Sequence, residues 1–236
     1  MAGKDRPGAP LRVSCPPDSS KTTLQGGDMA YLALIRHGQS EWNALGLWTG
    51  LTNISLNDIG REEARHSADA IAGIPFHVAF TSELQRAHET LDEILQVSHQ
   101  EGLSIIRNEA LNERDYGELT GKNKWAIRDE YGEEQFLKWR RSWDDALPGG
   151  ETLKDVYARV VPYYESQILP RLTQGQNVLV VAHGNSLRAL VKHLEALSEQ
   201  EVIGLEIGTA EVYLYQADTA GKILSKEIRA ANPNAV

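Results

Sequence analysis

Short apolar runs alternate with longer stretches whose apolar positions recur every three or four residues. Residues 31–35 and 177–182 are continuous, β-rich and bounded by turn signals, the pattern of strands buried on both faces. Shorter strand patterns fall at 77–80, 104–106 and 211–215. Between them, Asn57 can cap a helix to about residue 72, with Ala64, Ser67, Ala68 and Ile71 on its inner face. Ser82 can cap a second helix that buries Leu84, Ala87, Leu91, Ile94 and Leu95. Helical periods then occupy 124–141 and 153–172, the latter bent at Pro162, and Ser198 to Glu201 form a capping box. The alternation predicts one α/β domain with a mostly parallel central sheet flanked by helices.

Two of these strands end in the same way. Arg36-His37-Gly38 follows the first and Ala182-His183-Gly184-Asn185-Ser186 follows the fourth, before a helical pattern at Leu187, Leu190, Val191 and Leu194. In open α/β sheets ligands bind beyond the carboxyl ends of strands. If the two strands are parallel neighbours, both histidines project from one sheet edge, and the helix after Asn185 aims its N–H groups at the same place. Such an arrangement suits an anion. The densest polar stretch, residues 111–121, carries Glu113, Arg114, Tyr116 and two glycines, which predicts a structured loop rather than a helix.

Arg-His-Gly-x-Ser near the start, Glu113-Arg114-x-Tyr116-Gly117 in the middle and Ala182-His183-Gly184-Asn185-Ser186 late resemble the histidine phosphatase superfamily, and more narrowly the cofactor-dependent phosphoglycerate mutases. The resemblance implies a three-layer sandwich with a mostly parallel sheet and a catalytic set of His37, Glu113, Arg36, Arg86 and His183. His37 would carry the phosphoryl group on Nε2, and Glu113 would be the acid and base. Ser40, Asn43, Thr49, Gly50, Arg114, Tyr116, Gly184 and Asn185 would bind substrate, with Lys124, Arg140 and Arg141 holding its carboxylate and phosphate. The activity implied is interconversion of 3-phosphoglycerate and 2-phosphoglycerate, primed by 2,3-bisphosphoglycerate and without a metal. A phosphomonoesterase that uses the same residues with water as acceptor is the alternative. Beside the longer insertion and tail of many phosphoglycerate mutases, the short passage from Ser142 to Thr152 and the few residues after Asn232 imply a reduced cover over the site.

Composition narrows the partners. A formal charge of −9 over 236 residues argues against nucleic acid and anionic membranes, although a local group of arginines can still oppose the global sign. No stretch reaches the roughly 20 apolar residues of a membrane span. The lone cysteine, Cys15, cannot form an internal disulfide, which fits a reducing, cytoplasmic setting. Residues 1–28, with Pro7, Pro10, Pro16 and Pro17 and no apolar period, predict a disordered extension ahead of a single catalytic domain at 29–236. No metal-ligand spacing, nucleotide-binding glycine loop or Gly-x-Ser-x-Gly elbow occurs. The expected partners are small phosphoglycerates, and a homo-oligomer is left open.

Overall fold

The computed structural model describes residues 29–230 and residue 232, so the extension expected over 1–28 lies outside the described residues. A six-stranded sheet has the order β3-β2-β4-β1-β5-β6, with β1 at Met29–Arg36, β2 at Val78–Thr81, β3 at Ser104–Arg107, β4 at Val178–Ala182, β5 at Val212–Asp218 and β6 at Ile223–Arg229. The first four strands in that order run parallel, and β5 and β6 are antiparallel additions. Every residue of β4 is buried, as expected for Val-Leu-Val-Val-Ala covered on both faces. Its parallel register with β1 pairs Arg36 with Ala182, and His37 N–H continues the ladder by donating to the Ala182 carbonyl at 2.9 Å. The two His-Gly strand ends are therefore neighbours.

Helices cover both faces. On one side α2 (Asp58–Ala70) and α3 (Gln85–Val97) pack Ala68, Leu91 and Ile94 against Ala33, Ile35, Leu179 and Val181. On the other, α6 (Leu153–Tyr163) and α8 (Gly184–Leu194) pack Val156, Val160, Leu187 and Leu190 against Leu32, Leu34 and Val180. A smaller cluster of Trp48, Leu119, Ile127, Phe136 and Leu147 anchors α4 (Lys124–Tyr131) and α5 (Glu133–Arg141) over the sheet's carboxyl edge. The chain also forms α1 (Glu41–Ala44), α7 (Leu169–Thr173) and α9 (Glu199–Gly204), the last with the expected box between Ser198 and Glu201.

Four sequence expectations need correction. Ser82 is not a helix cap: Leu84 takes that position, and the Ser82 hydroxyl is engaged with His183 Nε2 at 2.7 Å and accepts from Leu84 N–H. The helix expected over 124–141 breaks at Gly132, whose φ of +83° suits glycine. The helix expected over 153–172 keeps Pro162 inside α6 and then widens into a π-helical turn at Tyr164–Ile168. The final strand continues to Asp218, turns at Gly221 and returns as β6, an edge strand whose largely exposed residues hide the apolar signal.

The loop carrying His37 lies directly on α2. A Cβ added at Gly38 would fall on the Gly60 carbonyl, and one added at Gly60 would fall on the Gln39 backbone. Backbone meets backbone there, so neither side can yield by rotating a side chain. Gly60→Ala is expected to lower the unfolding free energy by about 1–3 kcal/mol. Chemical denaturation checks this, and a midpoint equal to wild type would contradict the close approach.

Candidate active site

His37 sits one residue beyond β1, buried at the sheet edge. Its Nδ1 lies 2.7 Å from the Gly38 carbonyl oxygen, which can only accept, so Nδ1 carries the hydrogen and Nε2 keeps its lone pair. Arg86, in the first turn of α3, donates from Nε toward that Nε2 at 3.3 Å. The same guanidinium gives Nη1 to the Thr52 carbonyl and Nη2 to the Gly50 carbonyl, each at 2.9 Å. Gly50, at φ +53°, turns the chain so that its carbonyl points there. The His183 ring stands 4.9 Å from that of His37. Burial, reinforced by the Arg86 and Arg36 charges, holds His37 well below its ordinary pKa. His183 is lowered by burial, then by Arg86, His37 and Arg36. Burial also brings Arg86 down to about 10.

Glu113 lies opposite, 8% exposed. Three N–H donors converge on Oε1: Arg114 N at 2.7 Å, Asn185 Nδ2 at 2.9 Å and Asn185 N, in the first turn of α8, at 3.2 Å. Oε2 and the Arg36 guanidinium both border Gly184, where a side chain would touch them. Asn185 is held in turn by Arg188, whose Nη1 donates to Oδ1 at 2.9 Å while Nη2 donates to the carbonyls of Arg141 and Val202. The loop behind Glu113 is fastened by Arg159, which donates to the carbonyls of Ala110, Asn112 and Glu113 and pairs with Glu151 at 2.9 Å.

Beyond Glu113 opens a cleft lined by Arg36, Lys124, Arg140, Arg141 and Arg188 together with Trp48, Tyr116 and Glu206. A second cavity, bounded by His37, Arg86, Thr49 and Asn43, shares Arg36, Trp48, Glu113, Tyr116 and Lys124 with it. Arg36 Nη1 donates to the Ile207 carbonyl at 2.6 Å, while its Nε, Thr49 Oγ1 and Arg188 Nε are buried without a hydrogen-bond partner. Burial and the charges of Arg140 and Arg36 bring Lys124 down to about 8. Arg140 is lowered by burial and by Arg141, and Arg188 falls to about 10 from burial and the neighbouring arginines. Positive charge in excess of the carboxylates of Glu113 and Glu206 is gathered where backbone and side-chain donors already point, an arrangement that favours a polyanion.

The sequence-predicted residues do not all stand in the same relation to these cavities. Arg36, His37, Asn43, Thr49, Arg86, Glu113, Tyr116, Lys124, Arg140, Arg141, Gly184 and Asn185 line one or both, and His183 adjoins His37. Gly50 contributes a carbonyl to Arg86. Ser40 is fully buried and caps α1 through reciprocal bonds with Asn43. Arg114 lies behind the site, donating Nη2 to the carbonyls of Trp139 and Arg140 at the end of α5. Sequence reasoning missed Arg188, Arg159, Glu151, Ser82 and Glu206. Arg188 falls on the polar side of the α8 period and could have been suspected there; Glu206 has no local signal.

Comparison with known proteins agrees with this geometry. Residues 32–227 match the family profile of the histidine phosphatase superfamily, branch 1. The chain is 50% identical over 199 residues to a 2,3-bisphosphoglycerate-dependent phosphoglycerate mutase of Parvibaculum lavamentivorans, covering 84% of this chain and 95% of that one. A protein of the same name from Methylorubrum extorquens is 50% identical over 204 residues, covering 84% and 96%. Among solved structures, Bacillus stearothermophilus YhfR superposes with a TM-score of 0.74 at 23% identity, covering 88% of this chain and all of that one, a likeness of fold. A mycobacterial glucosyl-3-phosphoglycerate phosphatase gives 0.71 at 24%, over 86% of this chain and 100% of that one. With the profile spanning nearly every described element and half the residues shared with these relatives, the chain belongs to branch 1 of the histidine phosphatase superfamily, within its phosphoglycerate mutase family.

Proposed function

We propose that the protein interconverts 3-phosphoglycerate and 2-phosphoglycerate through a phosphohistidine at His37, primed by 2,3-bisphosphoglycerate acting as phosphoryl donor. The observation that carries this reading is the pair of adjoining cavities: one surrounds His37 and Arg86, the other gathers Lys124, Arg140 and Arg141, and Glu113 belongs to both. A phosphatase needs only the first. A mutase must also grip a carboxylate, so that either of two neighbouring oxygens can be turned toward the same histidine. The names of the relatives at 50% identity support the same activity and the bisphosphate dependence.

The chemistry follows from the groups present. Neutral His37 attacks phosphorus in line through Nε2, forming the N–P bond as the P–O bond to the glycerate oxygen breaks. Arg36, Arg86, His183 and the N–H groups at the start of α8 hold the charge on the transferring phosphoryl oxygens. Glu113 gives its proton to the leaving oxygen and later takes one from the hydroxyl that attacks phosphohistidine. The three donors on Oε1 fix the carboxyl and leave Oε2 to exchange the proton. The buried, unpartnered Arg36 Nε and Thr49 Oγ1 suit phosphoryl oxygens. Arg140, Arg141 and Lys124 orient the carboxylate, and the reorienting bisphosphate stays within reach of both cation groups. Among the described residues no cluster of His, Cys, Asp or Glu is arranged to hold a metal, and no helix is long and apolar enough to cross a membrane.

A coupled assay of 3-phosphoglycerate conversion tests the reading. Isomerisation is expected to be stimulated by catalytic 2,3-bisphosphoglycerate, to persist in EDTA and to vanish in His37→Ala. Release of inorganic phosphate without isomerisation would replace the mutase by a phosphatase. A second expectation concerns pH. Lys124 titrates at about 8, and only its protonated form attracts the substrate, so kcat/KM should fall as pH rises through that value. Lys124→Arg, charged throughout, should move this limb to higher pH; a limb unmoved by the substitution would assign it to another group.

A further inference from the structure

The two arginines assigned to the substrate's carboxylate are held in the structure by a carboxylate of the chain itself. Glu206 Oε1 lies 2.6 Å from Arg141 Nη2 and 3.6 Å from Arg140 Nη2. Of the residues lining that cleft, only Glu206 and Glu113 are acidic, and Glu113 Oε1 is already bound by Arg114 N–H and the Asn185 donors. Glu206 lies between α9 and β5, on a segment whose backbone is fastened. Its own carbonyl accepts from the Tyr213 hydroxyl at 3.3 Å, and the next carbonyl, of Ile207, accepts from Arg36 at 2.6 Å. The side chain is not fastened in the same way. It is 48% exposed, whereas the side chains of Arg140 and Arg141 are 18% and 19% exposed, so it can swing to solvent while they stay.

Both guanidinium groups approach the same oxygen, Oε1 of Glu206, so one carboxylate serves both arginines. A carboxylate arriving from the cleft can use both oxygens, which is the stronger geometry for arginine. A half-exposed ion pair beside a binding cleft is suited to being exchanged.

We propose that Glu206 is an internal stand-in for the substrate's carboxylate: it occupies Arg140 and Arg141 and must swing away before phosphoglycerate binds. It thereby sets the affinity for phosphoesters that carry a carboxylate. The proposal rests on the mutase reading in naming the ligand's second anionic group. Competition of this kind orients two cations between turnovers and weakens the hold on product.

Glu206→Gln keeps the shape and removes the charge, and Glu206→Ala removes the side chain. Calorimetric titration of wild type and both variants with 3-phosphoglycerate, and separately with inorganic phosphate, reads the exchange directly, and the mutase assay is run on the same preparations. The dissociation constant for 3-phosphoglycerate is expected to fall about 3- to 10-fold in both variants. That for inorganic phosphate, which has no carboxylate and binds at the His37 end, should change by less than about twofold because screening blunts the distant charge. Unchanged or weaker binding of 3-phosphoglycerate would overturn the proposal and make Glu206 a support for Arg141. An equal gain for inorganic phosphate would also overturn it, leaving only a general field effect. A wild-type enzyme that binds 3-phosphoglycerate without isomerising it would sink the mutase reading, while the paired titrations would still decide the role of Glu206.

Discussion

The site depends on positive charge that the fold has taken out of water without matching it. Arg86 is 1% exposed, yet its guanidinium meets two backbone carbonyls and a neutral imidazole rather than a carboxylate. Arg188 is held the same way, by an amide and two carbonyls. Burying cations against dipoles alone is costly, and the Nε atoms of Arg36, Arg114 and Arg188 stay without a partner. Here the sheet and helices supply the dipoles: loop carbonyls at Gly50 and Thr52, the Ile207 carbonyl for Arg36, and the end of α5 for Arg114. The result is a cavity that stabilises an anion and keeps both histidines neutral. A neutral His37 is a nucleophile; a protonated one is not.

The orientation of the His37 ring follows from one local bond. Because the Gly38 carbonyl takes the Nδ1 hydrogen, Nε2 is the atom that meets Arg86. Gly38 in turn is placed by the backbone approach to Gly60 and by its N–H donating to Thr90 Oγ1 at 3.0 Å. Helix α2, which lines neither cavity, thus fixes the loop that carries His37. Glu113 is fixed by comparable indirect means, through Asn185 to Arg188 and through its backbone to Arg159.

Much of this was readable from residue order. The continuous apolar runs before His37 and His183 required buried strands, and their common ending located the site at one edge; the β1–β4 register confirms the adjacency. Helix faces with strong periodicity, such as that of α3, were assigned to the core correctly. Residues whose partners are distant in sequence left no pattern. Ser82 looks like a helix cap because its hydroxyl does accept from a backbone N–H two residues on, and only the fold reveals that the same hydroxyl also meets His183. Glu206 meets arginines more than sixty residues earlier in the chain, so nothing near it marks its role. Strand β6 was missed because an edge strand with one covered face has too few buried residues to announce itself.

We propose that buried cations held by dipoles and a carbonyl-fixed tautomer make His37 Nε2 a phosphoryl carrier. Phosphorus NMR of the enzyme after exposure to 2,3-bisphosphoglycerate tests it most directly, since phosphate on Nε2 and on Nδ1 give distinct signals. An acid-labile Nε2-phosphohistidine is expected in the wild type and absent from His37→Ala. A signal from the Nδ1 isomer, or none from an enzyme that still turns over, would contradict it.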